Sequence, residues 1–418
     1  MGHQRGKDII SNAEQLVPAG DAFVAGFPCT DTSSLNMYAR SSENRSCVQS
    51  MSLRTGSVFN GLIQYLGKVQ ARMSVAVFEN VLGLAVPRRD RKTRKQLGPS
   101  NLQVCIGKLR SKGFHARALK LCPSLFGVPQ LRPRLYFPAF YTSKLRGQNV
   151  ATEDADRILA GAVQRFIGSA AQNIDEYLLV EQDKKIQCEY TRLRLCADVQ
   201  TAETALALAQ HQAPKRRKMN DKKLTQKWMN VAVDKSDEWW LNPFSDPEIL
   251  RDYPGLLALG DRELELLRHH RIDIPDLQAA RTIDTSQTAL RTRPSKAGRS
   301  YCLTPKARMY LTHRCRFVHG MEALRLQNVW YGSHAEDELL RMFGNATLFD
   351  MAGNAMEGCC LSCVIMASVC VLSAGHNSDR AVPRSLCSRS CTDSDSEAEE
   401  HVFHPLPHFG NADLISDH

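Results

Sequence analysis

Cys29 stands in the stretch Ala25-Gly26-Phe27-Pro28-Cys29-Thr30-Asp31-Thr32-Ser33-Ser34-Leu35-Asn36. A cysteine on a Pro-containing loop at a strand end is well placed to act as a nucleophile. Its thiolate would be favoured by a nearby helix N-terminus or by cations. An isolated cysteine is more often a packed core residue. This one is followed, in order, by Phe78-Glu79-Asn80-Val81 and by Phe126-Gly127-Val128-Pro129-Gln130-Leu131-Arg132-Pro133-Arg134-Leu135-Tyr136. A lone Glu is usually a solvated surface group, and a lone Arg-x-Arg a solvated basic patch. Here thiol, carboxyl and guanidinium groups recur in sequence, each at a junction of strand and loop.

The elements that must position these groups read as alternating strands and helices. Asp21 to Ala25 has the character of a buried strand running into a turn at Gly26-Phe27-Pro28. Phe59 to Val69 has helical periodicity through Phe59, Leu62, Ile63 and Leu66. Val75-Ala76-Val77-Phe78 is a second buried strand, ending at Glu79-Asn80. Such alternation implies an α/β fold with a mostly parallel sheet. Functional residues of such sheets lie beyond the carboxyl ends of strands, where Cys29 and Glu79 both fall.

Composition divides the chain into four regions. Residues 1–140 form the α/β core, and residues 141–300 are helical and charged, with helices expected at Arg157 to Ile167 and Thr201 to Gln212. Residues 301–372 return to mixed character. Residues 373–418 are Ser-rich, carry the acidic run Asp393 to Glu400 and are expected to be disordered. With 418 residues and 43% hydrophobic content, the chain can bury a sizeable core. Its net charge of +10 favours an anionic partner, of which nucleic acid is the commonest. The fourteen cysteines are scattered, without disulfide spacing, and Met1 to Ile10 lacks the apolar segment of a secretory signal. Free thiols in a reducing compartment are therefore expected. The apolar run Cys359 to Ala374 is shorter than a membrane span requires and reads as a buried helix, so no membrane partner is expected.

The three motifs together resemble the DNA (cytosine-5)-methyltransferase family. The resemblance extends to Thr55-Gly56-Ser57-Val58-Phe59, to Leu303-Thr304-Pro305 followed by Glu322-Ala323-Leu324-Arg325-Leu326-Gln327, and to Gly353-Asn354-Ala355-Met356. It covers about residues 5 to 372, with the middle unmatched, and the spread-out late motif is similar to algal and protist members. It implies a Rossmann-like S-adenosylmethionine-dependent methyltransferase fold with a target-recognition insert at 141–300, and DNA as partner. Carbon 5 of cytosine is a poor nucleophile. The resemblance implies that Cys29 adds to carbon 6, converting the ring to an enamine-like species. Glu79 would protonate or hydrogen-bond N3, its protonated form favoured by partial burial. Arg134 and Arg132 would hold O2 and steady the developing negative charge. The cytosine must be flipped out of a duplex to reach them. Ser33, Asn80 and Gln130 are implied as contacts to the base or DNA, and Asp8, Phe27, Pro28, Val58, Asn354 and Ala355 as contacts to S-adenosylmethionine.

Two departures stand out. The family opens with a strand and a Gly-rich turn that cradles the methionine end of the cofactor, followed by an acidic residue for the ribose. Neither is found before Cys29. The expectation is a chain truncated at that end, with Lys7-Asp8-Ile9 a remnant of the third cofactor motif and Asp21 to Ala25 an exposed edge. Thr30 replaces the usual Gln. Two further readings stay open: a catalytically impaired DNA-binding fragment or pseudoenzyme, and a tRNA cytosine-5 methyltransferase. Pro214-Lys215-Arg216-Arg217-Lys218 reads as a nuclear localisation signal, a phosphate-contacting patch or a solvated loop; the nucleus is the expected compartment. Trp239 and Trp240 suit packing better than base stacking. Cys360-x-x-Cys363 has metal-ligand spacing but lies in an apolar helix without a second pair, so no metal is expected.

Overall fold

The computed structural model describes residues 5–7, 14–16, 20–36, 38–90, 92–93, 95–168, 172–203, 247–260, 262–263, 266–267, 270, 272, 276, 279–287 and 292–374. In chain order the strands are β1 (Arg5–Lys7), β2 (Glu14–Leu16), β3 (Ala22–Gly26), β4 (Val75–Val81), β5 (Phe114–Ala116), β6 (Leu119–Leu121), β7 (Gln130–Leu131), β8 (Arg134–Tyr141), β9 (Thr282–Asp284), β10 (Ser300–Tyr301), β11 (Met309–Leu311) and β12 (Arg316–Phe317). The helices are α1 (Ser42–Ser46), α2 (Leu53–Val69), α3 (Asn101–Ser111), α4 (Thr142–Gly147), α5 (Thr152–Phe166), α6 (Lys184–Glu203), α7 (Pro247–Asp252), α8 (Gly320–Leu326), α9 (Ser333–Asn354) and α10 (Gly358–Ser373). The chain divides into two compact units. The first takes Met1–Phe126, Pro133–Ser169 and Cys359–His418; the second takes Gly127–Arg132 and Ala170–Gly358.

The first unit is built on a five-stranded sheet ordered β3-β4-β8-β5, with β6 also paired to β8. The expected strands and helix are present, at β3, α2 and β4, but β3 is not the buried strand expected: none of its residues is buried, because it lies at the edge of its sheet among the described residues. β3 and β4 run parallel, with Gly26 opposite Glu79. The expectation of a mostly parallel sheet is corrected: β8 lies antiparallel to β4, β5 and β6. The eight residues of β8 are almost all buried. An apolar run buried on both faces carries no mark of its direction. Direction is set by the end at which the chain enters, and β8 begins where β4 finishes.

Alternation along the strands feeds two cores. Ala76, Phe78, Phe137 and Ala139 face one side, where α2 brings Phe59, Ile63 and Leu66 and α3 brings Leu102, Cys105, Ile106 and Leu109. The helix α3 starts in a capping box between Ser100 and Gln103. Val75, Val77, Tyr136 and Phe140 face the other side. There α5 contributes Ala155, Leu159 and Val163, and α10 contributes Cys360, Cys363, Val364, Ala367 and Val371. Residues 142–166, read from the sequence as the start of the insert, thus lie in the first unit, because the apolar stripe of α5 completes this core. The expected buried helix at Cys359 to Ala374 is α10, and it is buried on one face only. Ile365, Met366 and Val369 are exposed. Among the described residues no single helix is long and apolar enough to cross a membrane, and β3 is an edge strand of its sheet.

The second unit holds the parallel pair β7–β10 and the antiparallel sheet β12-β11-β9. A small core of Leu256, Leu259, Leu267, Ile272, Ile283, Tyr310 and Cys315 forms beside that sheet. Its polar interior is knit by Arg316, which grips both carboxylate oxygens of Glu322 at 2.8 and 2.9 Å and reaches Glu181 at 3.0 Å. Asp8, Lys215 to Lys218, Trp239, Trp240, residues 204–212 of the expected second helix and the tail from Gly375, with its acidic run, lie outside the described residues.

Candidate active site

The register of the first sheet brings the predicted catalytic groups to one end. Gly26 and Glu79 are partners across β3 and β4, and Val81 and Arg134 are partners across β4 and β8. The loop that leaves β3 with Cys29, Glu79 near the end of β4 and Arg134 as the first residue of β8 therefore share the carboxyl end of the parallel pair; Glu79, expected just beyond a strand end, lies inside the strand, which runs on to Val81. Glu79 and Arg134 form an ion pair, Oε1 to Nε, at 3.1 Å, with side chains 13% and 15% exposed. A charge-assisted bond so nearly withdrawn from water fixes both groups. Cys29 is partly exposed.

The nucleophile loop is held by backbone and side-chain bonds. The carbonyl of Cys29 accepts from the amides of Thr32 at 3.1 Å and Ser33 at 2.8 Å. Asp31, two residues past the cysteine, accepts a bond from the amide of Thr55 at 2.6 Å, in the first turn of α2. Ser52, the residue before α2, makes no side-chain cap. The Asp31 carboxylate thus satisfies an amide at the start of that helix. Asn44 in α1 donates to the Asp31 carbonyl at 2.6 Å. A Cβ on Gly83 would stand 1.8 Å from the Thr32 carbonyl oxygen, so only glycine lets the turn after β4 lie against this loop. These supporting residues were not singled out from the sequence. The acid directly behind Pro-Cys-Thr, unpaired with any local cation, was the available signal.

Several predicted contacts take other parts in the structure. Asn80 is buried; its amide donates to the Phe27 carbonyl at 3.0 Å, and its oxygen accepts from the amide of Val81. It ties the nucleophile loop to β4 and is not presented to a base. Ser33 lies in the same loop, its hydroxyl accepting from the amide of Leu35. The ring of Phe27 packs in the core against Phe59 and Phe137, at 5.0 and 6.2 Å between centroids, and is 4% exposed. Pro28 is half-buried, and Val58 is 37% exposed on α2.

The remaining predicted residues lie in the second unit. Arg132 lies in the second unit. It is buried, and its guanidinium donates to the carbonyls of Leu303 at 2.6 Å, Ala355 at 2.8 Å and Gly353 at 3.4 Å. A guanidinium spent on three main-chain carbonyls is a clasp and not an anion-stabilising group. The motif residues it joins are those of the late Leu-Thr-Pro and Gly-Asn-Ala sequences. Gln130 is wholly buried on β7, opposite Ser300. Asn354 donates to the carbonyl of its own helix at Asp350. Of the predicted cofactor contacts described in the first unit, Pro28 and Val58 keep exposed surface. Among the described residues no cluster of metal-ligating side chains is assembled.

The model of the family "C-5 cytosine-specific DNA methylase" matches residues 2–347. No curated protein matches the chain. Among solved structures, the Dnmt2 methyltransferase of S. pombe is similar at 12% identity and a TM-score of 0.35, covering 85% of this chain and 78% of that one. The Entamoeba histolytica methyltransferase EhMeth is similar at 12% identity and a TM-score of 0.33, with 85% and 77% covered. A Spodoptera frugiperda DNMT2 mutant is similar at 15% identity and a TM-score of 0.31, with 84% and 79% covered. With the family model spanning residues 2–347, the chain belongs to the C-5 cytosine-specific DNA methylases.

Proposed function

We propose that the protein methylates carbon 5 of cytosine in DNA, with Cys29 as nucleophile and S-adenosylmethionine as methyl donor. The observation that carries this reading is the convergence of Cys29, Glu79 and Arg134 at one end of one sheet, with Glu79 and Arg134 already paired at 3.1 Å. The Cys29 thiolate adds to carbon 6 of the flipped base, and the ring gains electron density toward N3 and O2. Glu79, whose ion pair with Arg134 favours the carboxylate, takes up a proton as the base binds and shares it with N3. Arg134, fixed beside it, stabilises the charge that develops at O2. The cofactor, when bound, supplies the methyl group that carbon 5 takes. Loss of the proton from carbon 5 then lets the Cys29 thiolate leave. The sequence run Lys215 to Lys218 supports action in the nucleus.

Methyl transfer from tritiated S-adenosylmethionine, compared for wild type and Cys29→Ala, tests the assignment. Incorporation into cytosine-containing duplex DNA is expected for wild type alone. Equal incorporation by both proteins would overturn the role of Cys29, and incorporation into tRNA but not duplex would move the same chemistry to RNA. Titration calorimetry with S-adenosylhomocysteine tests the cofactor separately: absence of binding would make the chain a pseudoenzyme.

A further inference from the structure

The chain between β4 and α3 carries Arg88-Arg89-Asp90-Arg91-Lys92-Thr93-Arg94-Lys95, six cations and one acid in eight residues. Its described part is a built hairpin. Arg89 bridges Gln96 across it, the Asp90 amide donates to the Lys95 carbonyl at 2.8 Å, and the Leu97 amide donates to the Arg88 carbonyl at 2.9 Å. The single acid is consumed by the turn. One oxygen of Asp90 accepts from the Lys92 amide at 3.0 Å, the Thr93 amide at 2.7 Å and the Thr93 hydroxyl at 3.0 Å. Those bonds hold its carboxyl below the usual aspartate range. No carboxylate among the described residues pairs with Arg89, Lys92 or Lys95, and all three side chains are exposed.

The hairpin also stands in a fixed place. Its base follows on β4, the strand that carries Glu79, through the turn Leu82–Ala85. Arg88 donates to the Ser42 hydroxyl of α1 at 3.2 Å, and Arg45 of α1 donates to the carbonyls of Gly83 at 3.1 Å and Val86 at 3.3 Å. The same helix grips the Cys29 loop through Asn44 and Asp31. Burial, and to a lesser extent the neighbouring charge of Arg40, lowers the affinity of Arg45 for its proton. Unpaired cations held close together on one hairpin repel one another unless a polyanion neutralises them.

We propose that this hairpin clamps the phosphodiester backbone beside the reacting cytosine, with Arg89, Lys92 and Lys95 on phosphates. The proposal rests on the nucleic-acid reading above. It assigns to the first unit a backbone grip of its own, next to the nucleophile loop, where a flipped nucleotide needs its flanking phosphates held.

The test is the salt dependence of binding, by fluorescence anisotropy, for wild type, Cys29→Ser, the neutral variant Arg89→Ala/Lys92→Ala/Lys95→Ala and the charge-keeping variant Arg89→Lys/Lys92→Arg/Lys95→Arg. Labelled cytosine-containing duplex, tRNA and phosphatidylserine vesicles are the three probes. On its true substrate the neutral variant is expected to flatten the slope of log K against log salt by about 2 to 3, at ~0.9 for each duplex phosphate no longer neutralised. Cys29→Ser and the charge-keeping variant are expected to keep the wild-type slope. Flattening on duplex assigns the clamp to DNA, and flattening on tRNA alone assigns it to RNA. A slope unchanged on both overturns the clamp, whether or not vesicle binding falls. If wild type binds neither nucleic acid, the clamp and the nucleic-acid reading fall together. If wild type methylates yet the slope is insensitive, only the clamp falls.

Discussion

Glu79 and Arg134 hold each other before any substrate arrives, and that pair decides what each can do. On the proposed reading the base enters against two groups already fixed, which would leave little reorganisation for the reaction itself. Replacing Glu79 with Gln keeps the shape and a hydrogen-bonding amide but removes the acid. Methyl transfer is expected to fall about 100-fold or more in kcat, with KM changed little, since the loss is confined to the transition state. Arg134→Lys keeps the charge and loses the planar fork, and a fall of about 100-fold is expected. Single-turnover kinetics reads both, and a Glu79→Gln protein within a few-fold of wild type would remove the acid from the mechanism. At this scale the sequence was informative where a motif sits at a strand end, as for Cys29, Glu79 and Arg134. It was uninformative about Arg132. Two arginines separated by one proline look equivalent in a string, yet Arg132 is buried against carbonyls and Arg134 meets a carboxylate.

Elements carry a second layer of constraint. Asp31 joins the nucleophile loop to the first turn of α2, a helix whose own preceding serine gives it no cap. Asp31→Ala is expected to destabilise the first unit by about 1 kcal/mol, the usual worth of such a cap, and to reduce kcat beyond what that loss explains. Asp31→Asn, which retains an acceptor, should recover most of the stability. Thermal melts and kcat measured on both variants check this; kcat unchanged in Asp31→Ala would leave Asp31 a helix cap and nothing more. A second element contact sets a pH dependence. Asp156 on α5 meets His115 of β5 at 2.8 Å and Arg117 at 3.1 Å. Burial pushes its carboxyl up, but the bonds and charges of His115 and Arg117 outweigh burial and hold it below the ordinary aspartate range. A depressed folded value means that this contribution is fully present above about 3.9, the unfolded value, and is lost as pH falls through the lower folded one. The melting difference between wild type and Asp156→Asn should therefore be largest near neutrality and shrink in acid. A difference that grows as pH falls would reverse the assignment. Strand direction belongs to this scale too, and it was the part that hydrophobic pattern could not supply. The apolar residues of β4 and β8 are alike, while one pairs parallel and the other antiparallel.

At the scale of the whole chain, the division into two units does not follow composition. Residues 142–166 look charged and helical, but α5 places an apolar stripe under the first sheet, while Gln130 and Arg132, lying between β6 and β8 in sequence, belong to the second unit. Composition averages over a helix and loses its stripe, and a segment of six residues is too short to register as a domain. Arg132 shows what that short segment does. By binding the carbonyls of Leu303, Gly353 and Ala355 it fastens Gly127–Arg132 to two distant stretches of its own unit, 171 to 223 residues away. Loop closure over such lengths is entropically costly, and a buried charge that loses its acceptors, or acceptors that lose the charge, costs about 1 to 3 kcal/mol for each group left unsatisfied. Arg132→Met keeps much of the volume and removes every one of these bonds. The expected result is unfolding of the second unit at lower denaturant than the first, seen by hydrogen exchange as weakened protection in β10 and at the C-terminal end of α9 while β4 and β8 stay protected. If Arg132 were instead an anion-stabilising group of the reaction, Arg132→Met would leave exchange unchanged and lower kcat alone.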